Sequence, residues 1–216
     1  MKAVLFDLDG TLLDTLDDLC DSTNFVLASL SVPVRSRAEI RRFVGCGARV
    51  LMERALPADK KDLTPVALEA FRRYYNTHNA IKTRPYAGVA ELLCRLKEDG
   101  FALAIVSNKP DSAVQALAKT FFPQVDLAVG ERAGMPRKPA PDMLFFALQS
   151  LGADAKDAVY IGDSEVDIQT ASAAGLPCLS VTWGFRDEAD LLATGAKQMA
   201  RDPVLLEDLI RRSFHA

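Results

Sequence analysis

The chain has 216 residues and a net charge of −3, with 49% hydrophobic and 25% charged residues. This length is enough for one good core and a smaller subdomain, and the composition is ordinary for a globular protein. The slightly acidic balance, without a run of basic residues, argues against a nucleic-acid partner, and no stretch reaches the roughly 18 apolar residues that a membrane span needs.

The cysteines and the first residues indicate the cellular compartment of the protein. The four cysteines follow no spacing typical of a zinc site or a disulfide framework, so we expect reduced thiols in a cytosolic protein. The apolar run at the start of the chain is interrupted by Asp7 and is too short for a signal peptide. We therefore expect a soluble, cytoplasmic protein that contacts no membrane.

Short apolar runs that end in small or polar residues predict the strands of a parallel sheet. They cover residues 3–6, 102–106, 127–129, 158–161 and 178–181. Runs without apolar–polar alternation are typical of strands that are buried on both faces. Helical patterns lie between and after these runs, at 89–99, 111–120, 141–151, 164–174 and 203–214. The alternation predicts an α/β fold, with a doubly wound parallel sheet and right-handed crossovers.

Residues 14–84 interrupt this alternation, because they contain no convincing strand. Amphipathic patterns predict helices at 17–30, 36–44, 48–56 and 65–80. We therefore predict an all-helical cap at 14–84, inserted into an α/β core that is formed by residues 1–13 and 85–216. Hinges at the two junctions would allow the cap to act as a lid.

Acidic and hydroxyl side chains stand where the predicted strands end. Asp7 and Asp9 follow the first strand, and Ser107 follows the second. Asp163 follows the fourth, and Lys138 lies in the loop before the helix at 141–151. Open α/β sheets bind ligands outside the carboxyl ends of their strands, so we expect these side chains to meet at one edge.

Three carboxylates with one lysine predict a site for Mg²⁺ and phosphate. Mg²⁺ prefers oxygen ligands, which Asp7 and Asp163 can supply from their side chains and Asp9 from its backbone carbonyl. Lys138 would offset the negative charge and hold Asp7 ionised. The side chain of Asp9 would then point elsewhere.

These residues lie in four short motifs, in the order in which one enzyme superfamily carries them. The motifs are Asp7–Thr15, Ser107–Lys109, Lys138 within 137–141, and Asp163 within 162–164, with Asp167 behind the last. The chain resembles the phosphoglycolate phosphatase-like branch of the haloacid dehalogenase superfamily. The resemblance spans nearly the whole chain, because the helical insert stands where this branch carries its small cap.

The resemblance implies an Mg²⁺-dependent phosphoric monoester hydrolase that acts on a small phosphorylated metabolite. Asp7 would attack phosphorus and form an aspartyl phosphate. Asp9 would protonate the leaving oxygen and then activate water. The implied catalytic residues are Asp7, Asp9 and Lys138, and the implied metal ligands are Asp7, Asp9 and Asp163, with Asp167 as a further candidate. The implied phosphate-binding residues are Thr11, Ser107, Asn108 and Lys138.

The predicted cap contains a glycine-rich loop at 43–51 that resembles the substrate-specificity loop of this branch. Gly45 and Gly47 would let the backbone approach a ligand, and they precede a helix N-terminus, which favours anions. Arg49 could hold a substrate carboxylate. On this interpretation the preferred substrate is 2-phosphoglycolate.

Several alternatives remain open at this stage. One is a related hydrolase of sugar phosphates, nucleotides or pyrophosphate, and another is a β-phosphoglucomutase-like isomerase. Thr11 favours a hydrolase, because such mutases usually carry a branched apolar residue at this position. A binding module without activity would leave the catalytic residues idle. The sequence is compatible with either a monomer or a homodimer.

Overall fold

The computed structural model describes residues 1–214. The strands are β1 Ala3–Phe6, β2 Leu13–Asp14, β3 Arg84–Pro85, β4 Ala102–Pro110, β5 Leu127–Glu131, β6 Ala158–Gly162, β7 Cys178–Val181 and β8 Met199–Ala200. The helices are α1 Leu16–Ser29, α2 Arg37–Phe43, α3 Ala48–Ala55, α4 Thr64–His78, α5 Val89–Glu98, α6 Asp111–Phe121, α7 Asp142–Leu151, α8 Glu165–Ala174, α9 Glu188–Ala193 and α10 Pro203–Ser213. Two 3₁₀ segments lie at Ala58–Leu63 and Ala155–Asp157.

The main sheet has six parallel strands in the order β5-β4-β1-β6-β7-β8. The central strand β1 pairs with β4 and β6 in register, so that Ala3 faces both Ala102 and Ala158. Separate apolar clusters cover the two faces of the sheet, which explains the unbroken apolar runs in its strands. The predicted doubly wound α/β fold is therefore confirmed.

The strand β4 is longer than its apolar run predicts. It continues through Ser107, Asn108 and Lys109 to Pro110, and its register with β5 shifts after Val106. All three added polar residues are buried. The strand thus carries a set of polar side chains past the edge of the apolar core.

Helices α1 to α4 pack around an apolar cluster of their own. Its members include Leu27, Ile40, Met52 and Phe71, and Phe185 joins them from the loop after β7. Ser36 begins α2 with a reciprocal capping box, in which Glu39 accepts from the Ser36 backbone and donates its own N–H to the Ser36 hydroxyl. The four helices lie within two residues of their predicted bounds.

The helical insert leaves and returns through a short antiparallel pair that the sequence did not predict. Leu13 of β2 faces Pro85 of β3, and Asp14 faces Arg84. Two-residue strands are too short to show any periodicity, which is why this pair was missed. The same reason applies to the edge strand β8 at Met199–Ala200.

Among the residues described, no helix combines the length and the apolar character needed to cross a membrane.

Candidate active site

The polar side chains predicted to meet do converge at the carboxyl edge of the sheet. Asp7 follows β1, Ser107 lies near the end of β4, and Asp163 follows β6. These three residues line one pocket. They are brought together because β4, β1 and β6 are adjacent parallel strands, so their ends lie side by side.

Asp7 lies at the bottom of this pocket and is 7% exposed. The Nζ of Lys138 lies 2.8 Å from its Oδ1. Apart from this ion pair, Oδ1 has no polar partner among the described residues. Burial raises the pKa of Asp7 to about 7, against the opposing charge of Lys138. Asp7 therefore lines the pocket with one carboxylate oxygen paired to a buried ammonium group.

Lys138 forms an ion pair with Asp7 and is almost fully buried. Its Nζ donates to the Tyr160 hydroxyl and to Oδ1 of Asp167, each at 2.8 Å. Burial lowers the pKa of Lys138, but the charges of Asp167 and Asp7 outweigh it and leave that pKa above its ordinary value. With Asp7, three oxygens surround the three N–H groups of the ammonium. Lys138 is thus placed to neutralise Asp7.

Asp163 is held by backbone and hydroxyl donors. Its Oδ2 accepts from the Phe185 N–H at 2.6 Å, and its Oδ1 accepts from the Thr11 hydroxyl at 3.3 Å. Two glycines make room for the carboxylate, because a Cβ on Gly10 or Gly184 would lie 2.3 or 2.4 Å from Oδ2. The Thr11 hydroxyl, which was expected to bind a phosphate, thus donates to Asp163, and Thr11 does not line the pocket.

Asp167 is fully buried, and both of its oxygens are occupied. Oδ1 accepts from Lys138 and from the Tyr160 hydroxyl, and Oδ2 accepts from the backbone and hydroxyl of Ser164. From the sequence, Asp167 is a further candidate metal ligand. The structure gives it the role of orienting Lys138 and the start of α8.

The carboxylates of Asp7, Asp163 and Asp167 can each offer an oxygen within 4.8 Å of the others. Burial and the charges of Asp167 and Asp7 raise the pKa of Asp163 well above its ordinary value. Three buried carboxylates with one lysine leave an excess of negative charge that a divalent cation would offset. Oxygen donors are those that Mg²⁺ prefers, so the residues present fit this ion.

Asp9 lies on the turn after β1, and two donors hold one of its oxygens. Oδ1 accepts from the Thr15 hydroxyl at 2.7 Å and from the Lys109 Nζ at 2.7 Å. Lys109 also donates to the Tyr75 hydroxyl of α4 at 2.5 Å. Neither Lys109 nor Tyr75 was expected in the site from the sequence, although Lys109 lies within the second motif.

Ser107 and Asn108 differ in what they can offer a ligand. The Ser107 hydroxyl accepts from the Lys109 N–H at 3.3 Å, and within residues 1–214 it donates to no other group. The Asn108 amide donates to the Gly45 and Lys138 carbonyls and accepts from the Lys138 N–H. Asn108 therefore joins the two loops with its side chain, and Ser107 is the hydroxyl free to meet a phosphate.

The pocket has a polar floor from the α/β core and a mostly apolar roof from the helical insert. The floor consists of Asp7, Asp9, Ser107, Asn108, Lys109, Asp163 and Ser164. The roof consists of Leu19, Val44, Gly45, Gly47, Ala48, Leu51, Phe71 and Tyr75. A small charged group would bind at the floor and the rest of a substrate would contact the roof.

Comparison with known proteins identifies the family. The haloacid dehalogenase-like hydrolase family matches residues 4–181. The chain belongs to this family. A phosphoglycolate phosphatase from Mesorhizobium japonicum is 39% identical over 98% of this chain and 98% of its own length. A phosphoglycolate phosphatase from Haemophilus influenzae is 35% identical over 85% of this chain and 87% of its own.

A solved structure agrees with these relatives. A protein from Lactobacillus delbrueckii, provisionally described as a phosphoglycolate phosphatase, is 36% identical and has a TM-score of 0.89. The alignment covers 97% of this chain and 99% of that chain. The resemblance seen in the sequence is confirmed, and the chain is an enzyme of the phosphoric monoester hydrolase class.

The glycine-rich loop of this hydrolase reaches the pocket, but Arg49 does not. Gly45 and Gly47 line the roof with positive φ angles of 123° and 86°. Arg49 instead pairs with Glu53 at 3.1 Å on the outer side of α3, and its side chain is 52% exposed. The structure therefore does not bring Arg49 to the other predicted site residues.

Arg186 is a pocket residue of the hydrolase that the sequence analysis missed. It forms a two-point ion pair with Glu165, at 2.6 and 2.9 Å. It also donates to the Arg41 and Val44 carbonyls at the end of α2, at 3.2 and 2.9 Å. Arg186 thus ties the loop after β7 to the helical insert. No motif surrounds it, so only the packing of the insert reveals this role.

Proposed function

We propose that the enzyme hydrolyses small phosphate monoesters through an aspartyl phosphate on Asp7, with Mg²⁺ as cofactor. One observation carries this proposal. Asp7 lines the floor of the pocket, and the Nζ of Lys138 lies 2.8 Å from its Oδ1. A carboxylate with a neighbouring cation and a free lone pair is suited to attack phosphorus.

Asp9 supports the proton transfers that this reaction needs. In the first step, an oxygen of Asp7 bonds to phosphorus as the ester P–O bond breaks, and Asp9 gives a proton to the leaving oxygen. In the second step, Asp9 takes a proton from the water that attacks phosphorus, while the bond between Asp7 and phosphorus breaks and releases phosphate. Asp9 lines the same pocket as Asp7, two residues along the same turn.

The cofactor would be held by the side chains of Asp7 and Asp163 and by the backbone carbonyl of Asp9. When bound, Mg²⁺ supplies positive charge that offsets the charge of the phosphate and of the carboxylates. Ser107 would donate its hydroxyl to a phosphate oxygen. Lys138 would keep Asp7 ionised, and Asp167 would fix Lys138.

We propose 2-phosphoglycolate as the preferred substrate, with residues 14–84 as the cap over a core of 1–13 and 85–216. The named relatives support this choice. The roof also contains the start of α3, where Gly47 provides no side-chain cap, so the first N–H groups of the helix are available to an anion. The carboxylate of a two-carbon acid would suit this position.

A panel of phosphate esters tests the proposal. Phosphate release would be measured with 2-phosphoglycolate, sugar phosphates, a nucleotide and pyrophosphate, each with Mg²⁺ and with a chelator. The account predicts Mg²⁺-dependent release, fastest from 2-phosphoglycolate, in wild type and in Asp59→Asn, which changes an exposed carboxylate far from the pocket. In Asp7→Asn the rate should fall by about 10⁴-fold or more.

The same panel separates the alternatives. Faster release from a sugar phosphate, nucleotide or pyrophosphate would keep the mechanism and change the substrate. Conversion of a sugar phosphate to its isomer without free phosphate would indicate a mutase instead. Unchanged release by Asp7→Asn would contradict the role of Asp7.

A further inference from the structure

A buried lysine links the proposed acid of the reaction to the helical insert. The Nζ of Lys109 lies 2.7 Å from Oδ1 of Asp9 and 2.5 Å from the hydroxyl of Tyr75. The Lys109 side chain is 2% exposed, and Tyr75 belongs to α4. One ammonium group thus joins the turn after β1 to the roof of the pocket.

The contacts of Asp9 leave its two oxygens unequal. Lys109 and the Thr15 hydroxyl both donate to Oδ1. In the part of the chain that the structure describes, no hydrogen bond reaches Oδ2. An oxygen that already accepts two hydrogen bonds, one from a cation, is a poor place for a proton. A proton carried by Asp9 therefore sits on Oδ2.

Lys109 donates to the phenol oxygen of Tyr75 as well as to Asp9. Both Lys109 and Tyr75 are buried, so this contact is held inside the protein.

We infer that Lys109 is a positioning residue that aims Oδ2 of Asp9 at the leaving oxygen, and that Tyr75 ties this position to the helical insert. The inference rests on the proposed function, because that function makes Asp9 the proton donor. As the bond from Asp7 to phosphorus forms and the ester P–O bond breaks, the proton on Oδ2 passes to the leaving oxygen. Lys109 itself exchanges no proton and forms no bond.

Two substrates whose leaving groups differ in their need for a proton distinguish a positioning role from a purely structural one. An alkoxide such as that of 2-phosphoglycolate needs a proton as it leaves, whereas p-nitrophenolate is stable as an anion and needs none. The quantity to compare is kcat/KM, because it reports only steps up to the first irreversible one, here phosphoryl transfer to Asp7. Later hydrolysis of the aspartyl phosphate then does not enter.

In Lys109→Met we expect kcat/KM for 2-phosphoglycolate to fall by about 10²-fold and kcat/KM for p-nitrophenyl phosphate by less than about threefold, since general acid catalysis contributes about 10²- to 10⁴-fold. The matched control is Lys119→Met, which removes an exposed lysine on α6. It should leave both values unchanged. Circular dichroism and thermal melting would check the fold of each variant.

Tyr75→Phe removes one hydroxyl and keeps the test decisive if Lys109→Met does not fold. It should lower kcat/KM for 2-phosphoglycolate by about tenfold, with a smaller loss for p-nitrophenyl phosphate. Its control is Tyr74→Phe, a neighbouring tyrosine that stacks between Phe25 and His78 away from the pocket lining. That change should leave the ratio of the two values unaltered.

Asp9→Asn separates failure of this inference from failure of the proposed function. If Asp9→Asn discriminates between the two leaving groups and Lys109→Met does not, the positioning role is wrong and the proposed function stands. An equal loss on both substrates in Lys109→Met, with a raised KM, would mean that Lys109 binds the phosphate directly, which also overturns the inference. If Asp9→Asn itself shows no discrimination, the proposed acid role of Asp9 is wrong, and the inference fails with it.

Discussion

The floor and the roof of the pocket are held in different ways. On the floor, Lys138, Asp167, Tyr160 and Ser164 form a connected set of buried hydrogen bonds behind Asp7. On the roof, Leu51 and its apolar neighbours are held by helix packing, and Gly45 and Gly47 contribute only backbone. Charged groups and their hydrogen bonds hold the floor in place, whereas apolar packing holds the roof.

We infer from this difference that the floor carries out the reaction and that the roof selects the substrate. A fully connected buried polar network tolerates few changes, because each member leaves another unsatisfied when it is removed. An apolar roof distinguishes substrates by size, where one methylene changes discrimination by about 10- to 200-fold. We therefore expect changes on the floor to remove activity and changes near the roof to alter the choice of substrate.

After Asp7→Asn, the largest effect is expected from Lys138→Met. It leaves the buried carboxylates of Asp7 and Asp167 without their cation, which should destabilise the fold by about 3–5 kcal/mol. Activity should fall by more than about 10²-fold, since Asp7 loses the charge that keeps it ionised. Urea unfolding and phosphate release would measure both, with Lys197→Met as the exposed control. Wild-type activity in a folded Lys138→Met variant would show that the buried hydrogen bonds of the floor are not needed for activity.

A smaller effect, a loss of Mg²⁺ affinity, is expected from Gly184→Ala. Its Cβ would lie 2.4 Å from Oδ2 of Asp163 and from the carbonyl of Gly10, so the carboxylate must move. Displacing a group that orients a ligand typically lowers metal affinity by about 10- to 100-fold. The affinity would be read from Mg²⁺ titrations of activity and of the melting temperature.

The control for this change is Gly100→Ala, whose added methyl group meets no atom within 4 Å. It carries the strain of a positive φ but lies away from the site, so it should lower stability without altering Mg²⁺ affinity. Equal Mg²⁺ affinity in Gly184→Ala and wild type would show that Asp163 is not a ligand.

The smallest effect is expected from Arg49→Ala. This arginine pairs with Glu53 on the exposed side of α3, and such surface pairs contribute about 0–1 kcal/mol. The KM for 2-phosphoglycolate should therefore change by less than about twofold. A tenfold rise in KM would mean that α3 turns Arg49 into the pocket when substrate binds, and the contrast between floor and roof would need revision.

Much of the floor could be predicted from the sequence because strand ends fix where residues lie. Asp7, Ser107 and Asp163 each follow an apolar run, and adjacent parallel strands bring their ends to one edge whatever the details of packing. The direction in which individual hydrogen-bond donors point was harder to predict from the sequence. Thr11 and Asn108 were expected to bind a phosphate, and the sequence did not show that their side chains donate to Asp163 and to the Gly45 carbonyl.

The roof was less predictable because helix patterns show which face is buried and not which residues meet across two layers. The periodicity of α4 marks Phe71 and Tyr75 as buried, but nothing in it pairs the Tyr75 hydroxyl with Lys109. Arg186 likewise depends on where the end of α2 comes to lie. These contacts join residues more than 30 positions apart, so local sequence carries no trace of them.

The central claim is that Asp7 carries the phosphoryl group, and acid quenching during turnover followed by peptide mass spectrometry tests it most directly. Asp9→Asn with Mg²⁺ and p-nitrophenyl phosphate is the best sample, because this substrate needs no acid and hydrolysis of the aspartyl phosphate lacks its base. The account predicts one added phosphoryl group on the peptide that contains Asp7, and none in Asp7→Asn. Steady turnover by wild type with the phosphoryl group on another residue, or with no phosphorylated peptide in either protein, would contradict it.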